Sequence, residues 1–460
     1  MVVVPVNKPA SKKVYIETYG CQMNEYDSGL VQSILESAGY TRVHRFQEAD
    51  WIMLNTCAIR EKAHEKIYNR LRSMEGERGR NKAHIGILGC MAQNLGDELF
   101  AAGLPIDLLA GPDSYRQLPD LMAGINGQPQ QTVSLLQLSR TETYSDIYPL
   151  QSEGPLAFTT IMRGCDNFCS FCVVPYTRGR ERSRSPEPIL HEIRKLIAEQ
   201  DVQEVTLLGQ NVNSYSFADF NFTTLCERIL NETAIKRLRF TSPHPKDFPL
   251  ELLELMAGSD RFCSQIHLPL QSGSSAVLAR MRREYTRADF LQLVDRIRHT
   301  IPQVNLSTDV IVGFCGETEA EFQETMDCMR EIRFDMAYMF HYSERKHTGA
   351  WKKMPDDVAG SVKLRRLQEL IELQNSIALE RNQSLVGRTF EVLAERPSKR
   401  DARQLMGRTA GGKSVVFAPI CGPDQAVADG IGRFYTVQIA GATSATLHGH
   451  MAGITANQAE

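Results

Sequence analysis

Leu156–Cys172 reads LAFTTIMRGCDNFCSFC, an apolar, β-branched run that breaks at Gly164 into three closely spaced cysteines, Cys165, Cys169 and Cys172. The run reads as a strand, and further strand candidates follow it: QEVTLLG (203–209), KRLRFTS (236–242), FCSQIHL (262–268), NLSTDVIVGF (305–314) and FDMAYMFHY (334–342). Helical patterns such as Pro186–Gln200, started by Pro186 and Pro188, and Thr318–Ile332 lie between them. Strand and helix alternating six times predict a partial (β/α)6 barrel, with its site at the carboxyl ends of the strands. The cysteine loop follows the first strand and so belongs on that face. A long helix over 361–383 closes the unit.

The same texture extends upstream. KVYIET (13–18), ADWIMLN (49–55) and AHIGIL (83–88) read as strands of an N-terminal α/β domain with a parallel sheet. Each leads directly into a cysteine: Cys21 in TYGC, Cys57 in LNTC and Cys90 in LGC. A single cysteine at a strand end is usually a small buried hydrophobe. Three at equivalent places on one sheet edge point to a shared metal site. Residues 124–154 are polar and aperiodic, and read as a linker. From 384 to 451 the pattern changes to short strands and Gly turns, as in GRTFEVLAE and SVVFAP, predicting a small OB-like β barrel of a kind that often binds oligonucleotides. The expected units are therefore 12–123, 124–154, 155–383 and 384–451, with a tail at 452–460.

Composition narrows the function classes. The chain has 460 residues, more than one hydrophobic core usually organises. Its formal net charge is −3, so any nucleic-acid contact must come from local patches. Two such patches are Arg178, Arg180, Arg182 and Arg184 after the cysteine triplet, and Arg396, Lys399, Arg400, Arg403 and Arg408 near the C-terminus. The apolar start MVVVPV is broken by prolines and followed by lysines, and no apolar run reaches the roughly 18 residues of a membrane span. This predicts a cytoplasmic protein without a membrane segment. Eleven clustered cysteines suit metal or redox chemistry better than a disulfide framework.

Thiolates bind zinc or iron-sulfur clusters. Zinc requires a fourth ligand, yet the next cysteine is Cys226 and the next histidine, His191, falls in a helical pattern. A cluster with three cysteines leaves one iron open. The spacing C-x3-C-x2-C, with Phe171 before the last cysteine, resembles the radical S-adenosylmethionine superfamily. TYGCQMNEYDS, LNTCAIREKA, LGCMAQ, GCDNFCSFCVVPYTRGRERSR, LGQNVNSY, SPHPKD, HLPLQSGS and STDVIVGF together resemble its methylthiotransferase family, MiaB type, from about residue 13 to 451.

The resemblance implies a methylthiotransferase N-terminal domain, a radical S-adenosylmethionine barrel and a TRAM RNA-binding barrel. It implies two 4Fe-4S clusters, one on Cys165, Cys169 and Cys172 and an auxiliary one on Cys21, Cys57 and Cys90. The implied reaction places a methylthio group on C2 of N6-isopentenyladenosine beside the tRNA anticodon. One S-adenosylmethionine gives the methyl group and another the adenosyl radical, with flavodoxin or ferredoxin as electron donor and a monomer as the working unit.

Cofactor contacts carried over are Gly209, Gln210 and Asn211 near the methionyl end, Gln271, Ser272 and Asp309 on the same face, and the backbone of Phe171. Each also suits a capping, turn or packing role. Arg178, Arg180, Arg182, Arg396, Arg400, Arg403 and Arg408 are the expected RNA contacts. Relatives within the family act on threonylcarbamoyladenosine in tRNA or on a ribosomal-protein aspartate; outside it, a zinc-dependent RNA-binding protein remains open. Two departures stand out: Cys315 in GFCGET, where the family reads GFPGET, and Arg345-Lys346-His347-Thr348, where it reads Arg-Pro-Gly-Thr. Cys226, Cys263, Cys315, Cys328 and Cys421 are expected to be packed thiols.

Overall fold

The computed structural model describes residues 12–58, 65–74, 83–96, 98–127, 132–150, 154–419 and 426–454. In the N-terminal domain six parallel strands run in the order β2-β1-β3-β4-β5-β6. They are β1 (Lys13–Tyr19), β2 (Thr41–Arg42), β3 (Trp51–Thr56), β4 (His84–Gly89), β5 (Leu108–Ala110) and β6 (Val133–Leu135). β3 is buried along its whole length because both faces of the sheet are covered. Trp51 and Met53 pack towards helix Gln22–Ser37 while Ile52 and Leu54 pack with Ile67 and Leu71 on the other side, as the two-residue strand period demands.

The three strands expected here are the long ones. β2, β5 and β6 add two or three residues each, too few to show a period. β6 corrects the linker reading of 124–154: Val133–Leu135 extends the sheet, helix Leu118–Gly127 covers its start, and Tyr144 is buried. The segment is a strap, held where Leu150 N–H donates to Gly29 O (3.2 Å) and Ser33 Oγ to Tyr148 O (2.6 Å).

The central domain begins with β7 (Leu156–Thr160), then a short antiparallel pair of β8 (Met162–Arg163) with β9 (Arg182–Ser183). β10 (Glu204–Leu208) follows, then the small hairpin of β11 (Ser216–Phe217) and β12 (Phe220–Asn221). The remaining barrel strands are β13 (Arg237–Phe240), β14 (Gln265–His267), β15 (Asn305–Val312) and β16 (Met336–His341). β13-β10-β7 and β14-β15-β16 are parallel sheets joined through the Leu238↔Phe262 bridge. The expected six-stranded partial barrel is thus present. Capping boxes at Asn221/Thr224, Thr286/Asp289 and Thr318/Glu321 start three of its helices, and Pro186 starts another. The closing helix is Gly360–Gln383.

The C-terminal domain is a closed barrel, β17-β18-β19-β21-β20, built from β17 (Thr389–Pro397), β18 (Leu405–Thr409), β19 (Ser414–Ala418), β20 (Phe434–Ala442) and β21 (Leu447–Ile454). β21 ends three residues past the expected boundary at 451. The β18–β19 turn seats on the amino ends of the central strands: Arg239 donates to Thr409 O (2.8 Å) and Ala410 O (2.9 Å), and Asn305 Nδ2 donates to Gly411 O (2.7 Å). Gly412 has φ +78°, and a Cβ there would stand 2.2 Å from Gln265 Oε1, so the approach requires glycine. Among the described residues no helix is long and apolar enough to cross a membrane.

Candidate active site

The loop between β8 and β9 carries the first thiol triplet. Gly164 turns it with φ +81°; a Cβ there would lie 2.0 Å from Arg180 O. Gln210 Oε1 accepts from Gly164 N–H (2.6 Å), Cys165 N–H donates to Gly179 O (3.1 Å), and Ser170 N–H donates to Met281 O (2.9 Å). Cys165 and Cys169 are buried and Cys172 is half-buried. Burial raises the Cys165 thiol to about 11, and burial with the neighbouring Cys169 raises Cys172 further. Raised thiols such as Cys165 and Cys172 ionise readily only beside a compensating cation, as iron would be. One cation is built in: buried Arg283 donates to Cys169 Sγ (3.4 Å), held by Tyr285 OH (3.1 Å) and Pro269 O (3.4 Å).

The second triplet sits where three neighbouring strands end. β1, β3 and β4 pair in register Tyr19↔Thr56 and Thr56↔Gly89, so Cys21, Cys57 and Cys90 emerge side by side. A Cβ on Gly20 would lie 2.9 Å from Cys57 Cβ, and Gly89 has φ +87°, which explains the glycine before two of the cysteines. Cys21 caps helix Gln22–Ser37 and Cys90 opens helix Cys90–Leu95. A hydrogen bond with Cys57 outweighs burial and lowers Cys21 to about 6, with the Arg178 charge assisting. Burial raises Cys90 even though Arg178 Nε donates to its Sγ at 3.2 Å. Fully buried Asp27 holds Arg178 (2.8 Å) and Arg163 (2.5 Å) together.

One segment serves both triplets. Val173, next to Cys172, packs on Ala58 and Cys90, and the helical turn Val174–Thr177 delivers Arg178 to Cys90. An all-thiol set of three has the donor chemistry of iron-sulfur ligation; among the described residues no group of three or more His, Cys, Asp and Glu side chains is placed to hold a single metal ion.

The arginines expected on RNA divide differently. Arg178 and Arg182 are buried: Arg182 pairs with Asp113 (2.9 Å) and donates to Ser139 O and Glu142 O. Arg184 is enclosed against Glu192 (2.9 Å). A phosphate cannot reach them, and their work is to tie the strap and N-terminal domain to the barrel. Arg180 faces solvent, stacked over Phe168 at 4.7 Å. Arg396, Arg400 and Arg403 are exposed on the C-terminal barrel, Arg403 beside Asp401, while Arg408 pairs with Glu395.

Several expected cofactor contacts are engaged with protein. The side chain of Phe171 packs with Val277, Phe314 and Tyr342. Gly209 lies against Met162, Asn211 Oδ1 accepts from His244 N–H (3.2 Å), and Ser272 Oγ bonds Thr325 (3.2 Å) and Ser274 N–H (3.2 Å). Gln271, at φ +65°, bridges to Val310, and Asp309 pairs with His267 (3.1 Å) on the helix-free face of the barrel. Cys226, Cys263, Cys315 and Cys328 are buried thiols; Cys421 lies outside the described residues. Asp27, Arg163 and Arg283 escaped the sequence reading, since nothing local marks a charged residue as buried beside a thiol.

Comparison with known proteins adds an independent line. Residues 13–111 match the family described as Uncharacterized protein family UPF0004, 159–329 the Radical SAM superfamily and 383–452 the TRAM domain. The chain is 45% identical to mitochondrial tRNA methylthiotransferase CDK5RAP1 of Homo sapiens, over 96% of this chain and 81% of that one. It is 47% identical to tRNA-2-methylthio-N(6)-dimethylallyladenosine synthase of Phocaeicola vulgatus, over 95% and 96%, and 44% identical to the synthase of that name in Chlorobium luteolum, over 97% and 98%. Among solved structures, the radical S-adenosylmethionine methyltransferase TsrM of Kitasatospora setae superposes with a TM-score of 0.56 at 15% identity, covering 74% of this chain and 77% of that one. The cobalamin-dependent radical enzyme OxsB superposes at 0.51 and 14% identity, covering 80% and 56%. These two likenesses concern the fold.

Proposed function

Because this chain belongs to the tRNA methylthiotransferase family of radical S-adenosylmethionine enzymes, we propose that it places a methylthio group on C2 of N6-isopentenyladenosine in the tRNA anticodon loop. The observation that carries the reading is the pair of thiol triplets joined by one short wall, Val173–Arg178. Cys165, Cys169 and Cys172 would hold one 4Fe-4S cluster and Cys21, Cys57 and Cys90 a second, each with an iron free of protein. When bound, the clusters and S-adenosylmethionine supply the adenosyl radical, the sulfur and the methyl group, chemistry that no side-chain base provides at an unactivated C–H.

The protein's own part is positioning. Gln210 and Gly164 fix the loop that presents the first triplet, and Asp27 fixes the arginine that reaches the second. Inside the barrel, Ser307, Asp309 and His267 form a polar row beside Met336, Tyr338 and Phe340, which alternate on β16 and stay partly exposed. The row suits a base edge, and the apolar side chains suit a dimethylallyl group. Asp309, whose side chain keeps partial exposure, is the expected cofactor contact still open towards this space.

A low-potential donor such as flavodoxin or ferredoxin, a monomeric state and a cytoplasmic location complete the proposal; the human relative is named as mitochondrial. The deciding experiment is anaerobic reconstitution followed by nucleoside analysis of tRNA carrying N6-isopentenyladenosine. About eight irons and eight sulfides per chain are expected, with 2-methylthio product. Zinc without sulfide, or no product from a fully loaded enzyme, overturns the reading. Cys57→Ala is expected to keep S-adenosylmethionine cleavage and lose sulfur insertion.

A further inference from the structure

The loop after β16, where the sequence departs from the family's Arg-Pro-Gly-Thr, builds a surface the reaction above does not use. It leaves the carboxyl end of β16 on the face that carries the cysteine loop and continues into the helical turn Gly349–Lys353. Ala350 N–H donates to Ser170 O (2.7 Å), between Cys169 and Cys172. Lys352 Nζ stands 5.3 Å over the ring of Tyr176, and Lys346 pairs with Glu98 of the N-terminal domain (2.7 Å). The loop therefore forms part of the rim shared by both domains at the mouth of the site.

Its chemistry is specific. Trp351 is 41% exposed, whereas the other tryptophan, Trp51, is fully buried. The His347 ring lies 5.9 Å from Trp351, and Lys352 and Lys353 are exposed beside it with no ion pair among the described residues. The acidic residues that follow in the sequence are partly committed: Asp356 to Lys363 and Asp357 to Gly316 N–H (2.7 Å). The presentation is firm. Thr348 is buried, donates to Arg345 O (2.7 Å) and caps Trp351 N–H (3.3 Å), and Ala350 sits in the cluster of Phe314 and Tyr342. A large aromatic held in solvent with exposed lysines beside it matches an unpaired nucleotide, whose base stacks while its phosphates meet lysine.

We propose that Trp351, flanked by His347, is the stacking platform for an unpaired anticodon-loop base next to the target adenosine, with Lys352 and Lys353 taking the adjoining phosphates. This rests on the tRNA reading above and names the surface that buried Arg178 and Arg182 do not provide.

The holoenzyme's tryptophan fluorescence tests it, since Trp51 supplies a shielded background. An anticodon stem-loop RNA is expected to quench the exposed component, while duplex RNA of equal length and flavodoxin leave it unchanged. Trp351→Ala is expected to weaken stem-loop binding about tenfold, and Trp351→Phe to retain most of it. Lys352→Gln with Lys353→Gln is expected to reduce the salt dependence of binding. Wild-type protein that binds and modifies the RNA while Trp351→Ala binds equally well overturns the platform and leaves the enzymatic reading intact. Quenching by flavodoxin in place of RNA overturns it in favour of an electron-donor dock. Wild-type protein that binds no anticodon RNA overturns both.

Discussion

Asp27 has no solvent exposure, yet it fixes two arginines and, through Arg178, the thiol of Cys90. Asp27→Asn removes the charge and leaves two buried guanidinium groups uncompensated, so a loss of about 3–5 kcal/mol is expected in denaturant unfolding of the metal-free protein. Arg283 plays the matching part at Cys169. Arg283→Met removes a cationic donor to a thiolate, and a redox titration followed by electron paramagnetic resonance is expected to find the radical cluster harder to reduce. His244 responds to pH. Burial first, then Arg283 and Lys246, lower its ring to about 3, and its Nδ1 accepts from Lys246 N–H (3.2 Å), so it stays neutral in the fold. The unfolded ring protonates near 6.5. The stability it contributes is therefore complete above pH 6.5 and is lost as pH falls from there towards 3. His244→Gln is expected to flatten the decline of unfolding free energy between pH 6.5 and 4.5. At this scale the two cysteine triplets proposed as cluster ligands were readable because strand ends and short spacings are local facts. The destinations of Arg178 and Arg182 were not, because their partners Asp27 and Asp113 lie far back in the chain.

Elements were legible in proportion to their length. β3 and β15 declare themselves as apolar or β-branched runs and the capped helices through an N-cap, whereas β5 and β6 are three-residue strands fixed by pairing with neighbours the sequence does not name. The β8–β9 loop shows the opposite case, a non-periodic stretch held tightly by Gly164. Gly164→Ala would force a Cβ into Arg180 O at 2.0 Å and meet an unfavourable φ besides. Reconstituted Gly164→Ala is expected to carry about half the iron of the parent, the auxiliary set being retained, in metal analysis.

Across the molecule, three domains were visible in the sequence but their joints were not. The strap 132–150 and the arginines after Cys172 bind the N-terminal sheet to the barrel, while the C-terminal barrel docks at the opposite end through backbone carbonyls of the β18–β19 turn. Gly412→Val is expected to loosen that docking by collision with Gln265, seen as faster amide exchange in Thr409–Lys413 with the cysteine loop unaffected. The wall Val173–Arg178 gives the two thiol sites a common fate. With a cluster on each triplet as proposed, a lesion at Cys172 that moved Val173 off Cys90 would reach the other site, so aerobic decay of the two centres is expected to follow one exponential, and an enzyme with a lesion at either would leave the working pool as a whole.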